Sequence, residues 1–153
     1  GCMAYREGKH VKSRAKLGFA VKDIIDNMPG AFIVYRADKE NDEILLANNE
    51  LLRLTGCKNM DELLAYTGKS FCNLIRPDEQ ESCQKSIWSQ IDGGNVNDYS
   101  FFHMRKADGT YISVLDHGRI VDSVRNGRVF YVMIMDLNAL QRHYGDCLEL
   151  VEK

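Results

Sequence analysis

The chain has 153 residues, 44% hydrophobic and 27% charged, an ordinary globular balance in a chain long enough to remove about 68–70% of its unfolded surface from water without a metal or disulfide staple. Lys and Arg total 20 against 22 Asp and Glu, a net charge of −2, so the basic excess typical of nucleic-acid binders is missing. Five cysteines at irregular spacing, with no C-x-x-C pair and no apolar run long enough to span a bilayer, point to a reduced, cytoplasmic setting without direct membrane contact in this stretch.

Residues from about His10 to Asn27 carry Val11, Leu17, Val21, Ile24 and Ile25 with charges between them, and Met28-Pro29-Gly30 closes the run. This predicts an amphipathic leading helix. AFIVYRA, polar DKENDE and EILLA then read as a hairpin with strands near 31–37 and 43–47. From Asn48 to Gln90 the signals are helical. Asn48 caps NELLRL before Gly56, Asn59 and Glu62 resemble a capping box for DELLAY, and Pro77 opens a longer helix ended by Gly93-Gly94. Cys83, Ile87, Trp88 and Ile91 share one face of that helix, which should pack on a sheet. Beyond Tyr99, the hairpin-turn pairs Asp108-Gly109 and Asn126-Gly127 divide the chain into three strands of a meander. The last, RVFYVMIMD, shows no alternation, so both of its faces are expected to be covered. An exit helix follows, with Leu137, Leu140, Tyr144, Cys147 and Val151 at heptad-like spacing.

In this layout LLANNELLRLTGC, TGKSFCNLIRPDEQESCQKSIWSQI, MRKADGTYISVLDHGRIV and GRVFYVMIMDLN resemble the corresponding segments of PAS domains, the sensory modules of bacterial signalling proteins. Two positions depart from the family pattern: Arg76 stands where His usually precedes Pro77, and Asn138 replaces Thr after Asp136-Leu137. The resemblance covers about Ile24 to Asn138. It implies an α+β fold, a five-stranded antiparallel sheet with a cluster of short helices over one face, plus flanking N- and C-terminal helices. The division it implies is a leader and helix over 1–23, a sensory domain over 24–138 and an exit helix over 139–153. It also implies an attached C-terminal output domain, and the segments look most like those preceding diguanylate cyclase (GGDEF) or sensor histidine kinase modules.

Cofactor and catalytic signals are weak. PAS haem sensors usually take an axial His from the helices over the sheet, and the span from Asn48 to Gln90 has none. Photochemical flavin members hold a reactive Cys in an Asn-Cys-Arg-Phe-Leu-Gln segment. Phe71-Cys72-Asn73-Leu74 differs in order and lacks the Gln, so neither haem nor flavin is expected. Trp88 reads as a core residue rather than a flavin wall. His143 and Cys147 stand four apart on a helix, but no further pair completes a zinc site. Ser113, Asp116 and His117 match a triad in composition only, because adjacent strand residues point to opposite faces. No enzymatic activity is expected.

The remaining candidate is a small-molecule pocket lined by Phe32 and Val34 from the first strand, Phe71 and Leu74 from the helical cluster, Ile87 and Ile91 from the long helix, and Phe101 and His103 from the sheet, with His103 as its polar selector. The bland alternative is a filled core. The chain is thus expected to be a sensory module that binds a small ligand or dimerises, pairing through Val21, Ile24 and Ile25 of the leading helix and the last strand. A ligand-free dimerisation module and a cone-shaped enzyme or carrier of the ketosteroid-isomerase type are the alternatives. Against the cone stands the element order, since two strands precede the short helices.

Overall fold

The computed structural model describes residues 17–152, with side chains as far as residue 145. Helix α1 (Val21–Asp26) leads into strands β1 (Ala31–Arg36) and β2 (Ile44–Ala47). Helices α2 (Asn49–Thr55) and α3 (Met60–Thr67), two 3-10 turns (Phe71–Leu74 and Pro77–Glu79) and helix α4 (Gln80–Asp92) follow. Strands β3 (Asn97–Arg105), β4 (Tyr111–Ser123) and β5 (Gly127–Asp136) and helix α5 (Leu137–Glu152) complete the order. The five strands form one antiparallel sheet in the order β2-β1-β5-β4-β3, which puts β5 at its centre and β3 at an edge. The expected hairpin, helix cluster and meander are all present. Gly109 and Gly127 supply the positive φ of the two tight turns, 85° and 68°.

Helices α2 to α4 and the two 3-10 turns lie over one face of the sheet. Ile33 and Tyr35 of β1, Phe102 and Met104 of β3, Val114 of β4 and Phe130, Val132 and Ile134 of β5 point into the interior, where Leu51, Leu63, Phe71, Leu74 and Ile87 meet them. Tyr35 and Phe71 stack with ring centroids 4.0 Å apart, and Phe130 lies 5.1 Å from Tyr35. Such aromatic pairs contribute beyond their buried area.

Asn48 ties the elements together. Its side-chain oxygen accepts from Leu51 N at 3.0 Å, capping α2, and from Phe32 N at 2.9 Å in β1. Its amide donates to the Ile25 and Gly30 carbonyls, both at 2.9 Å. Helix α3 carries a variant of the expected capping box: Asn59 accepts from Glu62 N, while Glu62 reaches back to Lys58 N rather than to the cap residue.

Two expectations are corrected. The leading helix is not continuous over its described part: Gly18 adopts φ +71°, residues 18–20 are not helical, and only Val21–Asp26 form a helix. A left-handed glycine ends a helix rather than continuing it. Val11 lies outside the described residues. The exit helix is kinked at Tyr144 (φ −137°, ψ 27°), next to the poor helix former Gly145, so one heptad stripe does not run through it. The side chains of Cys147 and Val151 lie outside the described residues. On β5, Phe130, Val132 and Ile134 are buried by the chain itself, while Tyr131 and Met135 on the outer face are nearly half exposed in the single chain.

Asn48→Ala removes a cap and leaves Phe32 N and two carbonyls without partners, which should cost roughly 3 kcal/mol in urea unfolding. Asn48→Asp should also destabilise, because a carboxylate cannot donate to Ile25 and Gly30. A loss below about 1 kcal/mol in both variants would mean that water replaces these bonds.

Candidate functional site

Strand alternation separates the eight sequence-derived pocket residues into two groups. Phe71, Leu74 and Ile87 are fully buried in the interior, and Ile91 packs against it. Phe32 and Val34 alternate with the inward Ile33 and Tyr35, and Phe101 and His103 with the inward Phe102 and Met104. These four therefore sit on the other face of the sheet: Phe101 is 72% exposed, and Phe32 packs edge-on against Tyr131, with centroids 5.7 Å apart. A single pocket lined by all eight is corrected on this ground. The phase was hidden because β1 is apolar on both faces and Phe101 and Phe102 are adjacent.

His103 has a structural task instead. Its Nδ1 lies 2.5 Å from Glu79 Oε1, its backbone N–H donates to Glu79 Oε2 at 2.9 Å, and its carbonyl accepts from Arg76 N at 2.9 Å. Arg76 in turn pairs with Glu79 at 2.8 Å. Four residues along the same edge, the Gln90 amide exchanges two bonds of 2.9 Å with the backbone of Tyr99. The two clamps fasten the edge strand to the helical layer, a common way of protecting an exposed edge. Between them opens a groove of about 550 Å³, with Ser82, Cys83 and Ser86 of α4 on one wall and Ser100 and Phe102 of β3 on the other.

Behind this groove lies a feature that hydrophobic patterning misses. Asp98 and Asp116 point inward and are 2% and 1% exposed. Ser100 is paired with Asp116 across the β3–β4 ladder, and Asp98 with Gly118. A Cβ on Gly118 would come within 2.6 Å of Asp98 Oδ2, so the glycine makes room for the carboxyl group. Ser100 Oγ and Cys83 Sγ are 3.0 Å apart and hydrogen-bond to each other. Asp98 Oδ2 and both carboxyl oxygens of Asp116 have no hydrogen-bond partner, a rare condition for buried polar atoms. Among the described residues no Lys, Arg or His is buried.

The electrostatics follow from this burial. Loss of solvation pushes Asp98 up to about 6 and holds Asp116 well above the carboxylate range, with the Asp98 charge as a second cause. Burial, with a smaller contribution from Asp116, also lifts the Cys83 thiol to about 11. The Tyr35 hydroxyl is raised by burial and then by both carboxylates. An alternation signal was available, since Asp98 and Ser100 share parity with Phe102 and Met104. Polar residues at the start of a strand read as outward, however, and that misleads.

Other sequence candidates are placed apart. His117 faces outward and stacks on Tyr99 at 4.4 Å, while the adjacent Asp116 faces in, as strand geometry requires. Cys72 lines an outer groove with Asp42 and Ser70, and its backbone N–H donates to Asp42 Oδ2 at 2.8 Å. Trp88 packs edge-on to Phe130 at 5.4 Å. Among the described residues no group of three His, Cys, Asp or Glu side chains could hold a metal, and no helix is long and apolar enough to cross a membrane.

The raised carboxyl groups make stability fall as pH rises. The folded chain binds these protons more tightly than the unfolded chain, so the stabilisation present below about pH 4 is lost as pH climbs through about 6 for Asp98 and through the raised range of Asp116. Asp98→Asn should flatten the lower part of that slope. Asp116→Asn should be the more stable chain at pH 8 by roughly 1–3 kcal/mol. Urea midpoints from pH 4 to 8 test this; unchanged slopes in both variants would show that the pair is hydrated.

A family model described as PAS fold matches residues 44–135. Among solved structures the chain is similar to the PAS domain of an HTR-like protein from Haloarcula marismortui, with 20% identity over 87% of this chain and 98% of that one and a TM-score of 0.59. It is also similar to a PAS domain from a two-component sensor histidine kinase, with 17% identity over 81% and 98% and a TM-score of 0.60. A Rhodobacter sphaeroides LOV protein gives 19% identity over 76% and 64% and a TM-score of 0.61. No curated protein matches the chain in sequence. At these identities the structures speak for the fold, and the sequence match spans more than half of the chain. By its sequence match, its roofed five-stranded sheet and its helix-capping exit from β5, this chain belongs to the PAS domain family.

Proposed function

We propose that this PAS domain is a non-catalytic sensory module of a bacterial signalling protein, which relays ligand binding or pairing through α5 to a diguanylate cyclase or histidine kinase output domain. The observation that carries the reading is the junction at Asp136. This residue ends the central strand, and its Oδ1 accepts from Asn138 N and Ala139 N at 2.9 and 3.1 Å, capping the exit helix. A shift of β5 and the start of α5 are thereby one event. The free thiols of Cys57, Cys72 and Cys83 fit a reduced cytoplasm. The reading involves neither haem nor flavin.

The proposed partner surface is the outer face of β5 together with α1. Tyr131 and Met135 are nearly half exposed, Ile24 and Val21 more so. A groove of about 420 Å³ over Leu115, Met133 and Met135 continues this surface to Leu140 and Tyr144 of α5. A second copy of the chain covering it would bury a contiguous apolar patch. Phe32 and Phe101, on the same face of the sheet, belong in this reading to pairing rather than to a pocket, while Val34 there is already buried by the chain itself.

Sedimentation at high micromolar concentration should show a homodimer, and Ile24→Glu should give a monomer with an unchanged far-UV circular dichroism spectrum. A monomeric parent chain would remove the dimer from the scheme. In the full signalling protein, Asp136→Ala should uncouple output activity from the sensor while costing the domain only about 1 kcal/mol for the lost cap. Output that still responds to stimulus would show that the signal leaves elsewhere.

A further inference from the structure

We propose that Asp98 and Asp116 form the polar end of an interior site for a small organic cation with N–H donors, a protonated amine or amidine, reached through the groove between α4 and β3. The inference rests on the sensory reading, in which the interior takes a small molecule, and it names that molecule's charge class.

Four observations converge. Three carboxyl oxygens lack partners in two residues that are all but fully buried. Unpaired buried acceptors are costly, and here they are on the same side of one ladder, where a single donor-rich group could satisfy them. Second, no Lys, Arg or His among the described residues is buried, and the neighbours that feel the pair's charge are Tyr35 from β1 and Cys83 from α4, neither of which carries a positive charge. The protein therefore supplies negative charge without a buried base to balance it. Third, Gly118 keeps space for Asp98 where any side chain would collide. Fourth, the groove wall and the pair are one residue apart, because Ser100 in the wall is the ladder partner of Asp116.

The approach is chemically consistent. Ser82 and Ser86 line the groove with Glu79 at one end, a polar and acidic path suited to a cation. At its floor Cys83 and Ser100 satisfy each other, and an incoming N–H group could take the Ser100 hydroxyl in place of the thiol. A divalent metal is disfavoured by the donor set, since among the described residues no third His, Cys, Asp or Glu completes a ligand cluster.

The test titrates the full chain at pH 7.5 with methylammonium, benzylamine and benzamidine as cations, benzyl alcohol as the neutral analogue, benzoate as the anion and calcium chloride as the inorganic arm. Calorimetry and thermal denaturation are the readouts. At least one organic cation should bind saturably with one-to-one stoichiometry and raise Tm, while the alcohol, benzoate and calcium do not. Asp98→Asn and Asp116→Asn should each weaken that binding at least tenfold while remaining folded. If benzyl alcohol or benzoate binds as well as the amines, or if the variants bind unchanged, cation selection is overturned and the ligand-binding reading stands. If calcium alone stabilises the chain, the site is inorganic and the proposal fails. If no probe binds and carboxyl ¹³C shifts show the pair titrating by itself, the aspartates hold only protons, and the proposal is overturned together with ligand occupancy of this interior.

Discussion

Asn48 is the point on which the arrangement of helix, strand and roof depends. One planar amide accepts twice and donates twice, so every strong hydrogen-bonding position it has is used in a completely buried place. Its partners come from the end of α1, the loop before β1, the first residues of β1 and the first turn of α2. Once that amide is placed, the angle between α1 and the sheet and the starting point of the roof are no longer free. Few other side chains could do this: Asp lacks the donors, and Gln is one methylene too long for the same turn. The tie also has a functional side, because α1 carries the exposed Val21 and Ile24 proposed for pairing. Motion at the roof reaches that helix through the Ile25 carbonyl.

The buried acids show the opposite economy. A pair of unpartnered carboxyl groups costs stability at neutral pH, and apolar residues of similar volume would pack the same interior more favourably. The fold nonetheless keeps a glycine opposite Asp98 and a serine opposite Asp116, two small residues that leave room for the carboxyls. Local choices that lower stability while agreeing with one another are the mark of a site rather than of a packing accident.

Much of the architecture was legible because punctuation and period agreed. The Asn48 and Asn59 caps, the Gly56 stop and the two tight turns each have one local meaning, and the structure uses each in that sense, while Pro77 opens a 3-10 turn that leads into α4. The interior was harder to read. Which residues of a strand face inward is a single binary choice per strand, and it is lost when both faces are apolar, as in AFIVY, or when inward positions are polar, as at Asp98 and Ser100. Phe32, Val34, Phe101 and His103 depend on that one choice and face outward, whereas Phe71, Leu74 and Ile87 of the roof lie in the interior. The break at Tyr144 has the same origin: heptad spacing over two heptads carries no information about a kink beside Gly145.

The acid pair and the exit helix are closer along the sheet than through the core. Asp116 is paired with Ile134 of β5, and two residues away on the same strand Val114 is paired with Asp136, the residue that caps α5. A change in charge at Asp116, whether from proton loss or from a bound cation, alters the repulsion between β3 and β4 and the packing of Ile134 above it. Because the ladder is hydrogen-bonded throughout, β4 cannot yield locally without carrying Val114, and with it the anchor of Asp136. In the proposed sensory role, holding or releasing the first turn of the helix at this cap would be a discrete choice of the kind a packed interface can transmit.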